Sequence, residues 1–194
     1  MPRTRCPWSL SRDDGYRRYH DEEWGVPVHE DARHFEFLVL ESAQAGLSWA
    51  TVLRKREGYR RAFAGFDASR VARFNVRSVE RLVRDAGIIR NRQKIIATIA
   101  NARRFLDVQE QLGSFENYVW EFVDGRPKVN RWKRESQIPA TSPQSDALSK
   151  DLKSRGFRFV GSTIIYAHMQ ATGLINDHLV GCFRHAECMR AARA

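Results

Sequence analysis

Apolar residues along this chain recur mostly at helical spacing. From Ala32 to about Arg56 runs a long apolar stretch containing Phe35, Phe37, Leu38, Val39, Leu40, Ala43, Leu47, Trp49, Val52 and Leu53. It is apolar on more than one face, which predicts a central buried helix, or two helices broken near Gly46. Val79, Leu82, Val83 and Ala86 follow the i, i+3, i+4, i+7 stripe of an amphipathic helix, with Ser78 as N-cap and Gly87 as its stop. Ile95, Ile99, Ala102 and Leu106 repeat that spacing. The link between the two stripes, Gly87-Ile88-Ile89-Arg90-Asn91, is short enough to predict a helix–hairpin–helix.

A further helix is expected from Phe115 to Val123, ending before Asp124-Gly125, and then a long surface connection to Pro143. Ser142-Pro143 supplies an N-cap and a proline at N1 for a helix whose apolar side carries Leu148 and Leu152 and whose stop is Gly156. Ser162 or Thr163 caps the last clear helix, which ends near Gly173. Phe157 to Val160 is the best strand signal and is too short for a sheet. The predicted fold class is mainly α.

The 194 residues suit one compact unit. Lys+Arg is 33 against 23 Asp+Glu, a net charge of +10, which points to a polyanionic partner, nucleic acid first. No apolar run approaches the roughly 18–20 residues of a membrane span, and the basic N-terminus leads into no apolar leader segment. The odd set Cys6, Cys182 and Cys188 argues against a disulfide framework and for the cytoplasm.

Three constellations carry candidate chemistry. Cys6 and His20 lie near one end of the chain, and His178 and Cys182 near the other at i, i+4. On a helix the latter two would share a face, as a tetrahedral zinc site needs. On spacing alone, an ordinary thiol and a hydrogen-bonded histidine remain the plainer reading, and His185 with Cys188 is a rival pair. Trp8, Tyr16, Tyr19, Trp24 and Trp49 gather aromatic rings in the first quarter of the chain, beside polar residues. They can pack a core or stack on a flat, electron-poor ring. Glu41 interrupts the apolar run, where a carboxylate is costly unless it is ion-paired to an arginine or poised as an acceptor in a pocket. A hairpin that binds phosphates and an aromatic pocket with one carboxylate together suit a flipped-out base.

Long motifs carry a family resemblance: Cys6-Pro7-Trp8, Tyr19 to Pro27, Leu40-Glu41-Ser42-Ala43-Gln44-Ala45-Gly46-Leu47-Ser48-Trp49, Asp85 to Ile95, and Asn176-Asp177-His178-Leu179-Val180-Gly181-Cys182. In this order the chain resembles the DNA-3-methyladenine glycosylase I family from about Cys6 to Cys182. The resemblance implies a helix–hairpin–helix glycosylase with the hairpin subdomain over about 60–145. A second, zinc-binding helical subdomain would be built from about 1–59 and 146–194. It implies a structural zinc on Cys6, His20, His178 and Cys182, and a base pocket of Glu41, Tyr16, Tyr19, Trp8 and Trp49, with Glu41, Tyr19 and Trp49 serving catalysis. Double-stranded alkylated DNA would be the partner, free 3-methyladenine the product, and a monomer the working form. Leu47 is expected to wedge the duplex, and Gly87, Arg92 and Lys94 to contact phosphates. Many helix–hairpin–helix glycosylases place an aspartate after the hairpin; this sequence offers no obvious equivalent.

Overall fold

The computed structural model describes residues 3–10 and 13–191. Met1 and Pro2, at the head of the basic N-terminal run, lie outside the described residues. The described chain is mainly helical: α1 (Asp14–Glu22), α2 (Asp31–Gln44), α3 (Trp49–Leu53), α4 (Arg56–Ala62), α5 (Ala68–Ala72), α6 (Val76–Leu82), α7 (Arg92–Leu112), α8 (Phe115–Glu121), α9 (Pro143–Ser154), α10 (Ser162–Ala171) and α11 (Phe183–Ala191).

The apolar stretch after Ala32 is two helices, α2 and α3, broken at Ala45-Gly46-Leu47-Ser48. Gly46 adopts φ +76°, a left-handed conformation that favours glycine, and Ser48 caps α3 by accepting the Thr51 amide. α2 is buried continuously from His34 to Ala43 because α3, α7, α8 and α10 all pack around it. Its Phe35 meets Phe105 of α7, which stacks on Phe115 of α8 with centroids 4.2 Å apart. Each such fully buried ring contributes roughly 1.5–3 kcal/mol by transfer from water.

Helix boundaries differ from the sequence expectation: α8 ends at Glu121 rather than Val123, and α11 follows the helix expected to be the last. Asn75, not Ser78, caps α6; Ser78 is the reciprocal partner in a capping box. Gly87 does not stop α6, which ends at Leu82, five residues earlier. It lies in the hairpin instead, and its backbone is packed so closely on α4 that a Cβ on Gly58 would collide with the Gly87 carbonyl oxygen. Gly161, rather than Ser162 or Thr163, is the N-cap of α10.

The strand signal at Phe157–Val160 is unfulfilled. The two short strands are β1 (Lys128–Val129), inside the expected surface connection, and β2 (Ile175–Asn176), paired in parallel. This pairing, with the Val180 amide donating to the Trp132 carbonyl, ties the long connection to the segment that carries His178 and Cys182. No helix of the described residues is long and apolar enough to cross a membrane.

Candidate functional site

The two ends of the chain meet in a buried Cys6–His20–His178–Cys182 cluster whose candidate ligand atoms all lie within 4.8 Å of one another. His20 is on α1. His178 and Cys182 are not on a helix as their spacing suggested; a turn closed by the Cys182 amide on the Leu179 carbonyl brings them together just before α11. His178 Nε2 lies 2.8 Å from the Trp24 carbonyl oxygen. That oxygen can only accept, so Nε2 carries the proton and the Nδ1 lone pair faces the cluster. His20 Nδ1 lies 2.8 Å from Asp21 Oδ1, and Asp21 is gripped by the Arg5 guanidinium at 2.8–3.0 Å. This leaves His20 Nε2 toward the cluster. Both imidazoles are thus oriented by outer partners, the arrangement metal-binding histidines use. The cluster could hold a metal ion. His185 instead bonds the Asn130 carbonyl and Cys188 stands outside the four, which removes the rival pair.

The cluster is continuous with an aromatic cavity. Trp8 follows Cys6 by two residues and meets His20, Trp24 and Tyr16 edge-on, with ring centroids 5.1–5.2 Å apart. Tyr19 precedes His20 and packs at 5.3 Å from Trp49. Together with Glu41, Gln44, Ile138, Ala167 and Gln170, the rings Trp8, Tyr16, Tyr19, Trp24 and Trp49 line a cavity of about 240 Å³. That is below the roughly 300–1,000 Å³ of drug-sized sites and suits one flat heterocycle. A neighbouring cavity of about 320 Å³ shares Glu41, Gln44 and Ala167 and extends to Leu47.

Glu41 stands out by contrast with Glu36, five residues earlier on α2. Glu36 is 1% exposed and its carboxylate accepts from Arg33, Arg56 and Arg60. Glu41 is 3% exposed, forms no ion pair among the described residues, and its Oε2 is buried without a hydrogen-bond partner. Burial pushes its carboxyl up to about 8. Trp49 Nε1 is likewise a buried donor without an acceptor. An unmatched acceptor and an unmatched donor therefore lie on the walls of one cavity, where each costs about 1–3 kcal/mol until a partner arrives. Asp177, by comparison, is saturated: Asn130, Trp132, Tyr166 and Gln170 all donate to it.

The hairpin lies between α6 and α7. Its amides are largely occupied from within: Gly87 N–H donates to Asp85 Oδ1, Ile88 N–H to the Asp85 carbonyl and Ile89 N–H to Tyr59 Oη. The donors of Gly87 and the two amides after it, expected to hold phosphate, are thus used within the protein. The first-turn amides of α7, Arg92 and Gln93, are the ones a helix start leaves unpaired. Arg92 is exposed and paired with Glu80 at 2.7 Å. The Lys94 ammonium, expected at a phosphate, donates inward here, to the carbonyls of Ala43 and Ala45 at 2.8 and 2.5 Å. Leu47 is 43% exposed at the α2–α3 break and is not part of the core.

The sequence model for methyladenine glycosylase covers residues 8–185. The chain belongs to the methyladenine glycosylase family. It is 53% identical over 178 residues to DNA-3-methyladenine glycosylase 1 of Escherichia coli (strain K12), spanning 92% of this chain and 95% of that protein. It is 42% identical to the DNA-3-methyladenine glycosylase of Haemophilus influenzae, spanning 92% and 96%. A crystal structure of 3-methyladenine DNA glycosylase I superposes with a TM-score of 0.89 at 52% identity, over 93% of this chain and 98% of that one. The Staphylococcus aureus enzyme, solved to explain its recognition of 3-methyladenine, gives 0.88 at 35% identity over 90% and 94%.

In this family member the cavity includes residues that the sequence pattern did not single out: Gln44, Ile138, Ala167 and Gln170. Trp24 belonged to the aromatic constellation, and Gln44 sits within a quoted motif beside Glu41. Ile138, Ala167 and Gln170 reach the cavity through tertiary packing alone.

Proposed function

We propose that this chain hydrolyses the N-glycosidic bond of 3-methyladenine in double-stranded DNA, holding the extruded base in the aromatic cavity. The observation that carries the reading is Glu41: an unpaired, buried carboxylate in a ring-lined cavity large enough for one base. Methylation at N3 makes the base cationic and weakens the glycosidic bond, and the base departs neutral. No acid is then required to protonate the leaving group. Stacking on Trp49 and Tyr19, with Trp8 and Tyr16 at the edges, fixes the ring. Glu41 accepts from the amino edge and favours the positive charge, which separates 3-methyladenine from adenine. Trp49 Nε1 supplies the matching donor.

Zinc is the metal proposed for the terminal cluster. With Zn–S about 2.3 Å and Zn–N about 2.0–2.1 Å, a tetrahedral centre sets sulfur and nitrogen about 3.6 Å apart. The observed separations are 3.7 Å for Cys6–His178, 3.6 Å for Cys182–His178 and 3.5 Å for Cys182–His20. Two thiolates and two imidazoles fill all four positions, so the role is structural: it holds Trp8, Tyr19 and Trp24 in place through their neighbours in the chain. A zinc hydrolase would need an open position.

On the DNA, Arg92 and the α7 N-terminus seat a phosphate and Leu47 fills the duplex where the base leaves. With the Lys94 ammonium on backbone carbonyls, a monofunctional glycosylase without lyase activity follows. A DNA-binding module without catalysis is the rival reading, and such a module has no use for an unpaired carboxylate in a cavity. Three tryptophans line the cavity, so titration with free 3-methyladenine tests the proposal. Saturable quenching of tryptophan emission is expected; no response to the free base would contradict it.

A further inference from the structure

We infer that Lys94 is a positioning residue that fastens the DNA-anchoring end of α7 to the turn carrying Leu47. This rests on the pocket and wedge reading above. α2 ends at Gln44 and leaves its last carbonyls without helical partners. Lys94 Nζ takes two carbonyls there, Ala43 at 2.8 Å and Ala45 at 2.5 Å. It forms no ion pair with a carboxylate among the described residues, so its positive charge faces the negative end of the α2 dipole. Immediately beyond Ala45 come Gly46, with φ +76°, and exposed Leu47, whose amide donates to the Gln44 carbonyl at 2.6 Å. Glu41 stands just before this turn and Trp49 just after it.

At its other end Lys94 is locked into the first turn of α7. Its amide donates to the Asn91 cap and its carbonyl accepts from Thr98 Oγ1 at 2.9 Å. Arg92 and Gln93, the proposed phosphate seat, are its immediate neighbours. The rest of the hairpin is tied elsewhere, to α4 and its N-cap, through Lys55 on the Ala86 carbonyl, Tyr59 on the Ile89 amide and the Gly58–Gly87 contact. Among the described residues, the hydrogen bonds joining the first turn of α7 to the end of α2 and the α2–α3 turn are both made by Lys94. Gripping a phosphate thus fixes where the wedge and pocket wall stand against the same duplex. A lysine suits this place, because one compact tip with three donors can serve two converging carbonyls, whereas the larger planar guanidinium holds its donors in a fixed fork.

The test is Lys94→Met, compared with Leu47→Ala and the double variant. Expected for Lys94→Met are free 3-methyladenine affinity within about threefold of wild type, undamaged-duplex affinity and salt slope unchanged, and single-turnover excision from duplex slowed about tenfold to a hundredfold. The two substitutions should be non-additive in excision, since both act through the same turn. Lower duplex affinity with a log–log salt slope flattened by about one would make Lys94 a phosphate contact and overturn the inference. So would additive rate effects, or parallel loss of free-base binding and excision. If Lys94→Met does not fold, Lys94→Arg retains the charge and should show the same slowed excision at unchanged salt slope; wild-type excision by it would overturn the inference. Failure of the wild type itself to bind free 3-methyladenine would instead sink the pocket reading on which this one rests.

Discussion

Replacing Glu41 by Gln removes the ionisable group from the cavity and little volume, and it has two opposite consequences. The first is on function. Losing a hydrogen bond to a charged group costs about 1.5–3 kcal/mol, or roughly one to two decades. Free 3-methyladenine binding and excision should fall together by that factor, while binding to undamaged DNA stays almost unchanged. The second is on stability. Burial raises the Glu41 carboxyl to about 8 from an ordinary 4.5, so the folded protein holds a proton that the unfolded chain releases. The Glu41 contribution to stability is then greatest below pH 4.5, is lost as pH rises to about 8, and stays absent above it. At pH 7 the deficit is up to about 3 kcal/mol, which Glu41→Gln recovers as a Tm higher by roughly 6–12 °C. Calorimetry of both proteins from pH 5 to 9 measures it, with the gap widening up to pH 8 and then constant. Single-turnover excision of the permanently cationic base by the wild type should rise with pH toward a plateau near 8, a limb the variant lacks. A variant that melts lower than the wild type at pH 8, or one that keeps the pH limb, would refute the reasoning. A variant that binds free base normally yet loses all excision would place Glu41 on the sugar instead.

Purified protein should contain one zinc per chain by elemental analysis, and Cys182→Ser should lose both the metal and the tryptophan response to 3-methyladenine; a metal-free preparation with normal base binding would contradict the structural role. Leu47→Ala should change stability by less than about 0.5 kcal/mol, because the side chain is exposed, yet lose activity on duplex with free-base binding intact. A drop in Tm without selective loss on duplex would return Leu47 to a packing role. Arg92→Ala should weaken binding to all DNA sequences alike and flatten the log–log salt slope by about one; an altered base preference would contradict a phosphate contact.

Helical periodicity made the fold class legible, because α2, α6, α7, α9 and α10 each bury one stripe or run that local spacing encodes. Caps were less legible. Ser78 and Ser162 are good capping residues by type, but Asn75 and Gly161 stand where the chain actually turns into the helix. The β1–β2 pairing joins segments nearly fifty residues apart and has no local pattern. The Cys6, His20, His178 and Cys182 grouping was suggested by residue type and motif, although the turn that unites the last two is not the helix their spacing implied. Lys94 shows the limit most clearly. A basic residue at a helix start beside a hairpin reads as a phosphate contact, and whether its long stem runs outward or inward depends on carbonyls about fifty residues away in sequence.

Chromatography of the bases released from methylated duplex DNA tests the central claim most directly. The wild-type protein should release free 3-methyladenine and leave adenine in place, and Glu41→Gln should release the same base roughly ten to a hundred times more slowly. Methylated duplex bound without release of any base would contradict the account, as would release of 3-methyladenine and adenine at similar rates.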